Sequence, residues 1–294
     1  MTTPNASGDH TRLAIGLMMA GMLIIPIGDT FTKLASETTT YSSGMLAWSR
    51  FVIGAILALP IAVVFTNLRA LTRQFWMAQL VRGALLSGTI FCIITGVQLV
   101  PMADAYGAFF VGPVVATLLA RWVLGEAVHV SEWWGIAIGL LGVVLVVKPN
   151  ASMAPGHIWA LAGGCFYGAY LTATRWAKAV GPPMAQLAGQ LCIGAILLTP
   201  LAIGDLTSLS LQAPGLLLGS GVASASANLL AIAAFGLARA ASLAPLVYCQ
   251  LISATAAGWF VFGDFPDNIS ALGLIVVAAA GFGPRFMRGR SSMP

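Results

Sequence analysis

Four ionisable residues, Asp29, Lys33, Arg50 and Asp104, stand inside or beside long apolar runs. Asp29 and Lys33 are four positions apart, so a helix carries them on one face. A charge among apolar groups needs a partner or a wet cavity. These four residues are predicted to form one network, which could be an ion-pair lock that fixes helix packing. Equally it could be a gate or a proton-coupled carboxylate, and Asp29 is then the proton site because it lies deeper. Arg82 stands apart, with no acid in another run at its depth. It could snorkel toward Glu126 or Glu132, or its guanidinium could hold a substrate carboxylate or phosphate through two parallel bonds.

The second half of the chain offers neutral polar groups instead: Tyr167, Tyr170, Gln190, Ser224, Ser226, Asn228, Tyr248 and Gln250. Tyr167 and Tyr170 share a helical face, as do Ser224 and Asn228. Such groups either bond helices together or line a cavity. As a set, with Trp48, Tyr106, Phe109 and Phe110 as a wall, they suit an organic, partly apolar ligand better than a bare ion. Substrate contacts are therefore expected from Arg82, Tyr106, Tyr167, Tyr170, Asn228, Tyr248 and Gln250.

Familiar catalytic patterns are missing. The chain has no HExxH, no GxSxG and no GxxxxGK[ST]. His10, His129 and His157 fall in the tail or loops, and the four cysteines form no CxxC. No metal, cofactor or catalytic residue is expected. An embedded enzyme and a channel-type pore are the alternatives to a carrier. A pore would call for a ring of like charges or a filter-like loop, and neither stands out.

These residues must be positioned by an apolar scaffold. Of 294 residues, 59% are hydrophobic and 8% charged, and mean hydropathy is +0.91. An ordinary soluble domain carries roughly 25% charged residues, so a multi-pass membrane protein is the expectation. Ten apolar segments are predicted to be helical spans: 13–34, 43–65, 75–99, 101–122, 132–148, 156–176, 183–204, 214–236, 241–262 and 268–285. Pro26, Pro60, Pro113 and Pro200 fall inside them and suggest kinks. The first segment holds Asp29 and Lys33 and lacks a small-residue cleavage site, so it is expected to remain in the mature chain. With both termini cytoplasmic, ten lysines and arginines fall inside and two outside, the expected basic bias. That bias explains the net charge of +5 without nucleic acid.

The chain also repeats itself. Ile53–Ala62 and Ile193–Ala202 agree at seven of ten positions, at an offset of 140. At an offset of 138, Ala116, Thr117, Val123, Gly125 and Gly135 meet Ala254, Thr255, Val261, Gly263 and Gly273, while Glu126 faces Asp264. The repeated unit holds five spans, and an odd count inserts the copies in opposite senses. Inverted repeats are the architecture of many secondary transporters, with substrate near the midplane between the halves. The predicted organisation is a cytoplasmic tail (1–12), a first repeat (13–148), a second repeat (156–285) and a basic cytoplasmic tail (286–294).

Each half carries an apolar helix, then Gly125-Glu126 or Gly263-Asp264, a short polar link and a glycine-rich closing helix. With Trp48-Ser49-Arg50-Phe51, this order resembles the drug/metabolite transporter superfamily, EamA type. The resemblance covers nearly the whole chain. It implies a ten-helix secondary transporter of the inner membrane, a monomer or homodimer, that moves a small metabolite with a proton as the candidate coupling ion. Pro101–Tyr106 with Asp29 and Lys33 looks most like branches for S-adenosylmethionine or riboflavin uptake. Gln190 stands where a second copy of Arg50 would fall, which argues against a symmetric role for that arginine.

Overall fold

The computed structural model describes residues 6–67, 71–127, 130–148, 154–206, 212–239 and 243–276, and residue 279. The described residues are helical with no strand. Helices α1 (Ala6–Thr38), α2 (Ser43–Phe65), α3 (Arg73–Leu99), α4 (Met102–Phe109), α5 (Val111–Leu124) and α6 (Val130–Val147) form the first half. In the second half come α7 (Pro155–Trp176), α8 (Pro183–Leu206), α9 (Pro214–Leu237) and α10 (Gln250–Phe262). A 3-10 stretch, Ala244–Cys249, leads into α10. The last described helix is α11 (268–276), so most of the final predicted segment lies outside the described residues. Helix occupies at least part of every predicted segment. Among the described residues, six runs have the length and hydropathy to cross a bilayer: His10–Thr38, Ser43–Phe65, Arg73–Leu99, Met102–Leu124, Pro183–Leu206 and Pro214–Leu237.

Local chemistry sets the ends. Ser42 and Thr72 cap α2 and α3, their hydroxyls accepting from Met45 N and Phe75 N, 3.2 Å each. Pro155 and Pro214 sit in the first turns of α7 and α9, where a missing N–H costs nothing. Helices α5 and α10 stop at Gly125 and Gly263, whose φ values of 65° and 69° favour glycine. The next residues bond back alike, Glu126 N to Ala120 O at 3.1 Å and Asp264 N to Gly258 O at 2.9 Å. The predicted span 101–122 is two helices, broken at Phe110. Pro113 explains the break, because its ring excludes the carbonyl of Phe109 four residues earlier. Helices α1, α2 and α8 run on through Pro26, Pro60 and Pro200.

Polarity is inverted relative to a soluble protein. Asp29, Arg50, Gln79, Arg82, Gln190 and Gln250 are buried, while Ile196, Phe260, Trp122 and Val64 are exposed. That is the pattern expected when lipid is the solvent.

Helix α1 packs along α9 as α3 packs along α7. Helix α2 packs on both α8 and α9, and α3 on α8 as well as α7. The α4–α5 pair leans on α7, and α10 leans on α1. Close approach of α7 needs glycine: a Cβ on Gly164 would strike Phe109 O, and one on Gly168 would strike Gly112 O. Gly164 and Gly168, four residues apart on one face of α7, thus both sit at a contact. Gly215 does not, with nothing within 4 Å of its Cβ position.

One end of the bundle, here called upper, joins Ser42 N to Asp205 (3.2 Å) and pairs Lys148 with Asp267. The lower end pairs Arg175 with Glu126 and joins Arg239 Nη2 to Ala127 O at 3.0 Å.

Candidate functional site

A cavity of about 390 Å³ lies between the halves at mid-depth. Helices α1, α2, α3, α4, α7, α9 and α10 all reach it.

Asp29 is the acid on its wall. Arg50 Nη1 donates to one carboxylate oxygen and the Tyr106 hydroxyl to the other. All three side chains are buried, and Arg50 Nε is left without an acceptor. This knot ties α1, α2 and α4 together. Across the cavity the polar groups are neutral. The Tyr170 hydroxyl donates to Asn228 Oδ1 at 2.9 Å and accepts from Gln190 Nε2 at 3.1 Å. Asn228 Nδ2 donates to Ser224 O at 2.9 Å. Gln250 Nε2 points to Met22 Sδ (3.0 Å) and the Tyr167 hydroxyl (3.4 Å), while its Oε1 has no donor. Phe109 and Tyr167 stack obliquely, with centroids 5.1 Å apart and planes at 35°. Tyr170 continues the stack, 6.1 Å from Tyr167.

Arg82 lies behind the Tyr170 ring, its guanidinium carbon 5.9 Å from the centroid. Its Nη1 donates to Gln79 Oε1 and Gln186 Oε1, both at 2.8 Å, and its Nε to Thr174 Oγ1 at 3.3 Å. Arg82 Nη2 and Gln79 Nε2 are buried donors without acceptors. Two spare donors beside a cation whose bonds go to neutral groups are what an anionic group would complete.

The expected network of four charges is divided in the structure. Asp29 and Arg50 face the cavity. Lys33 pairs instead with Asp264, Nζ to Oδ2 at 3.3 Å, over the Phe262 ring at 4.4 Å. It stands one turn above Asp29, and its long side chain reaches the loop beyond α10. Asp104 faces Ser270, within the field of Lys148 and Asp267. It is two residues from Tyr106, about 200° around a helix, so the two cannot share a face. Glu126 does not receive Arg82, being paired with Arg175 at 3.3 Å. The side chain of Glu132 lies outside the described residues. Tyr248 and Phe110 pack on each other, centroids 5.2 Å apart, off the cavity wall. Trp48 turns its Nε1 to Thr199 Oγ1 on α8 at 3.1 Å, and Ser226 is exposed. Tyr170 is one layer behind the wall.

Thr89 on α3 and the amides Gln79 and Gln186 were not picked out by the sequence. Thr89 bonds its own helix, to Leu85 O at 2.8 Å, and lines the cavity. Gln79 precedes Arg82 by three residues, so the helical neighbour rule could have flagged it.

Two matches to a family model decide the classification: the EamA-like transporter family fits residues 12–148 and again 154–283. The chain belongs to the EamA-like transporter family. It is 23% identical over 270 residues to an S-adenosylmethionine uptake transporter of Rickettsia bellii, covering 91% of each chain. It is 23% identical over 288 residues to a pseudopaline exporter of Pseudomonas aeruginosa, covering 91% of this chain and 96% of that one. A riboflavin transporter of Vibrio cholerae is 24% identical over 278 residues, with 90% and 89% covered. A solved crystal structure, 18% identical, superposes with a TM-score of 0.71 over 95% of this chain and 99% of that one, which supports the fold alone. An EamA-like chain with six membrane-length helices and relatives named as transporters is a multi-pass membrane protein that transports small molecules. Its family points to a transporter rather than an enzyme.

Proposed function

We propose that this EamA-like protein is a ten-span secondary transporter that moves a small organic metabolite across the inner membrane by alternating access between two inverted five-helix repeats. The observation that carries the reading is the cavity at mid-depth, closed by both halves and lined on one side by Asp29–Arg50–Tyr106 and on the other by neutral amides and phenols. The packing supports the repeats: α1 on α9 answers α7 on α3, and α10 on α1 answers α4–α5 on α7. With the basic lower end in the cytoplasm, Arg175, Lys178 and Arg239 obey the positive-inside rule.

The substrate class is an amino-acid-derived or zwitterionic compound with a flat ring, S-adenosylmethionine-like in outline. Phe109 and Tyr167 offer oblique faces to a ring or to a cation. Gln250 Oε1 and Asn228 supply neutral hydrogen bonds, and Arg82 waits behind Tyr170 for an anionic group once the lower side opens. Asp29, as the acid on the wall, is where a coupling proton would bind.

Counterflow in proteoliposomes tests the reading, with labelled S-adenosylmethionine and riboflavin as first probes and thermal-shift hits from a metabolite screen next. A carrier concentrates label against excess unlabelled substrate on the other side. Label that equilibrates without trans-stimulation would mark a pore and overturn the proposal. Replacing Arg82 by Ala should abolish binding of a carboxylate substrate, and unchanged affinity would remove Arg82 from the site.

A further inference from the structure

Among the described residues, three ion pairs join the halves, Lys148–Asp267 at the upper rim among them, and the other two correspond. Lys33 of α1 meets Asp264 beyond α10 at the upper end, and Arg175 of α7 meets Glu126 beyond α5 at the lower end, each with N–O 3.3 Å. The cations are 142 residues apart and the acids 138. The 142 offset also matches Ala20, Gly21, Thr30, Thr32 and Ala35 to Ala162, Gly163, Thr172, Thr174 and Ala177.

The contacts around the pairs obey the same offsets. Thr32 Oγ1 lies 2.6 Å from Ser220 Oγ, and its counterpart Thr174 Oγ1 lies 3.3 Å from Arg82 Nε, at the position matching Ser220. Gly21 faces Ala227 O, and its counterpart Gly163 faces Thr89 O, at the position matching Ala227. Both acids follow a left-handed glycine, Gly125 ending α5 and Gly263 ending α10.

We propose that Lys33–Asp264 and Arg175–Glu126 are two latches, one at each end of the cavity, that are released one at a time during transport. This inference rests on the alternating-access reading. Geometry supplies the reason. Opening the upper end requires the α10–α11 corner to leave α1, and Lys33–Asp264 bridges that seam. Opening the lower end requires the α5–α6 corner to leave α7, and Arg175–Glu126 bridges that one. Neither pair touches the cavity: Lys33 is one turn above Asp29, and Arg175 is over one turn below Tyr170.

The latches differ in strength. Asp264 is 36% exposed at its side chain and Glu126 only 11%. Arg175 Nη1 also donates to Phe235 O at 2.9 Å. Water weakens the upper pair more, so the upper end opens more readily in the absence of substrate.

The test is a single reporter cysteine, Thr89→Cys on the cavity wall, in a chain whose Cys92, Cys165, Cys192 and Cys249 are serine. A membrane-impermeant thiol reagent is applied to right-side-out and to inside-out vesicles. Asp264→Asn should raise labelling from the upper side about three- to tenfold and leave the lower side unchanged. Glu126→Gln should do the reverse, by a larger factor. Exchanging the charges, Lys33→Asp with Asp264→Lys, should restore the parent rate. Both variants acting on one side, no change in either, or no restoration would overturn the latches. Should the single variants fail to fold, a short bis-thiol cross-link between Lys33→Cys and Asp264→Cys should stop counterflow while lower-side labelling persists. Counterflow that continues through the linked protein sinks the proposal. Counterflow by the parent protein separates the two failures: exchange with unmoved labelling removes the latches and keeps the carrier, whereas absent exchange removes the carrier.

Discussion

Asp29→Asn separates a structural lock from a working carboxylate. Asp29 and Arg50 are both 2% exposed at the side chain, so the substitution leaves a buried guanidinium whose Nε already lacks an acceptor. Removing one partner of a buried pair costs about 3–5 kcal/mol. At about 2 °C per kcal/mol for a large domain, that is a fall of roughly 6–10 °C in apparent Tm. Arg50→Met should cost a similar amount, because Asp29 then keeps only the Tyr106 hydroxyl. The double variant Asp29→Asn/Arg50→Met removes both charges together and should recover most of the loss, since apolar replacements of a buried pair are often nearly neutral. The assay is a double-mutant cycle on thermal unfolding in detergent, with counterflow measured on each variant. Single-variant losses that simply add in the double would refute the coupling drawn from the structure. If the pair is only a lock, the double variant transports; if Asp29 carries the proton, the double variant is stable and silent for coupled uptake while exchange survives.

Tyr170→Phe keeps the ring over Arg82 and loses the bonds to Asn228 and Gln190; burying those amides unpaired should cost about 1–3 kcal/mol in thermal unfolding. Gly168→Val should abolish assembly at the α5–α7 seam, whereas Gly215→Val should leave expression and Tm within a degree or so of the parent, read by fluorescence-detected gel filtration. Asp267 is held down to about 2 by Lys148 and by the N–H groups of Ser270 and Ile269. A carboxylate lowered on folding adds stability above its ordinary value near 3.8 and loses it as pH falls through about 2. Tm measured from pH 8 to 5 should therefore show no pH dependence from Asp267, whose contribution is constant there, and Asp267→Asn should remove a small decline seen only below about pH 4.

Segment positions were legible because hydropathy and length act along the chain, without regard to partners. Breaks at special residues were less legible. Pro113 marks a disturbance, but its effect falls at Phe109–Phe110, where it removes a carbonyl's helical partner. The α4–α5 break and the passage from the 3-10 stretch into α10 at Cys249–Gln250 stand at corresponding places in the two halves.

The cavity was legible as a set of polar residue types but not as a grouping. Position along the apolar runs grouped Asp29, Lys33, Arg50 and Asp104 in one network, and position along a run alone cannot say which way a side chain points. Helical phase separates Asp104 from Tyr106, and reach separates Lys33 from Asp29. Gln79 and Gln186 were invisible because amides in an apolar run look like generic interhelical glue until a guanidinium is found between them.

Shared contacts with unlike chemistry give the two halves unequal roles. At matched positions the first half places Arg50 where the second places Gln190, and the second places Ser220 where the first has Arg82. A strict two-fold carrier would bind a substrate equally in two orientations and give its closed ends equal strength. Here one wall carries a neutralised ion pair, the layer behind the other holds a guanidinium without a carboxylate, and the two end pairs differ in exposure. On the proposed alternating-access reading, the fold supplies two states of similar energy, and these substitutions set the difference between them. On the same reading, a zwitterionic substrate has one preferred orientation, with its anionic end toward Arg82. Moving that charge, by Arg82→Gln with Ser220→Arg, should invert which end of the substrate must carry the carboxylate, read by counterflow with methyl-ester and des-amino analogues. A variant that keeps the parent's analogue ranking would show that orientation is not set by this guanidinium.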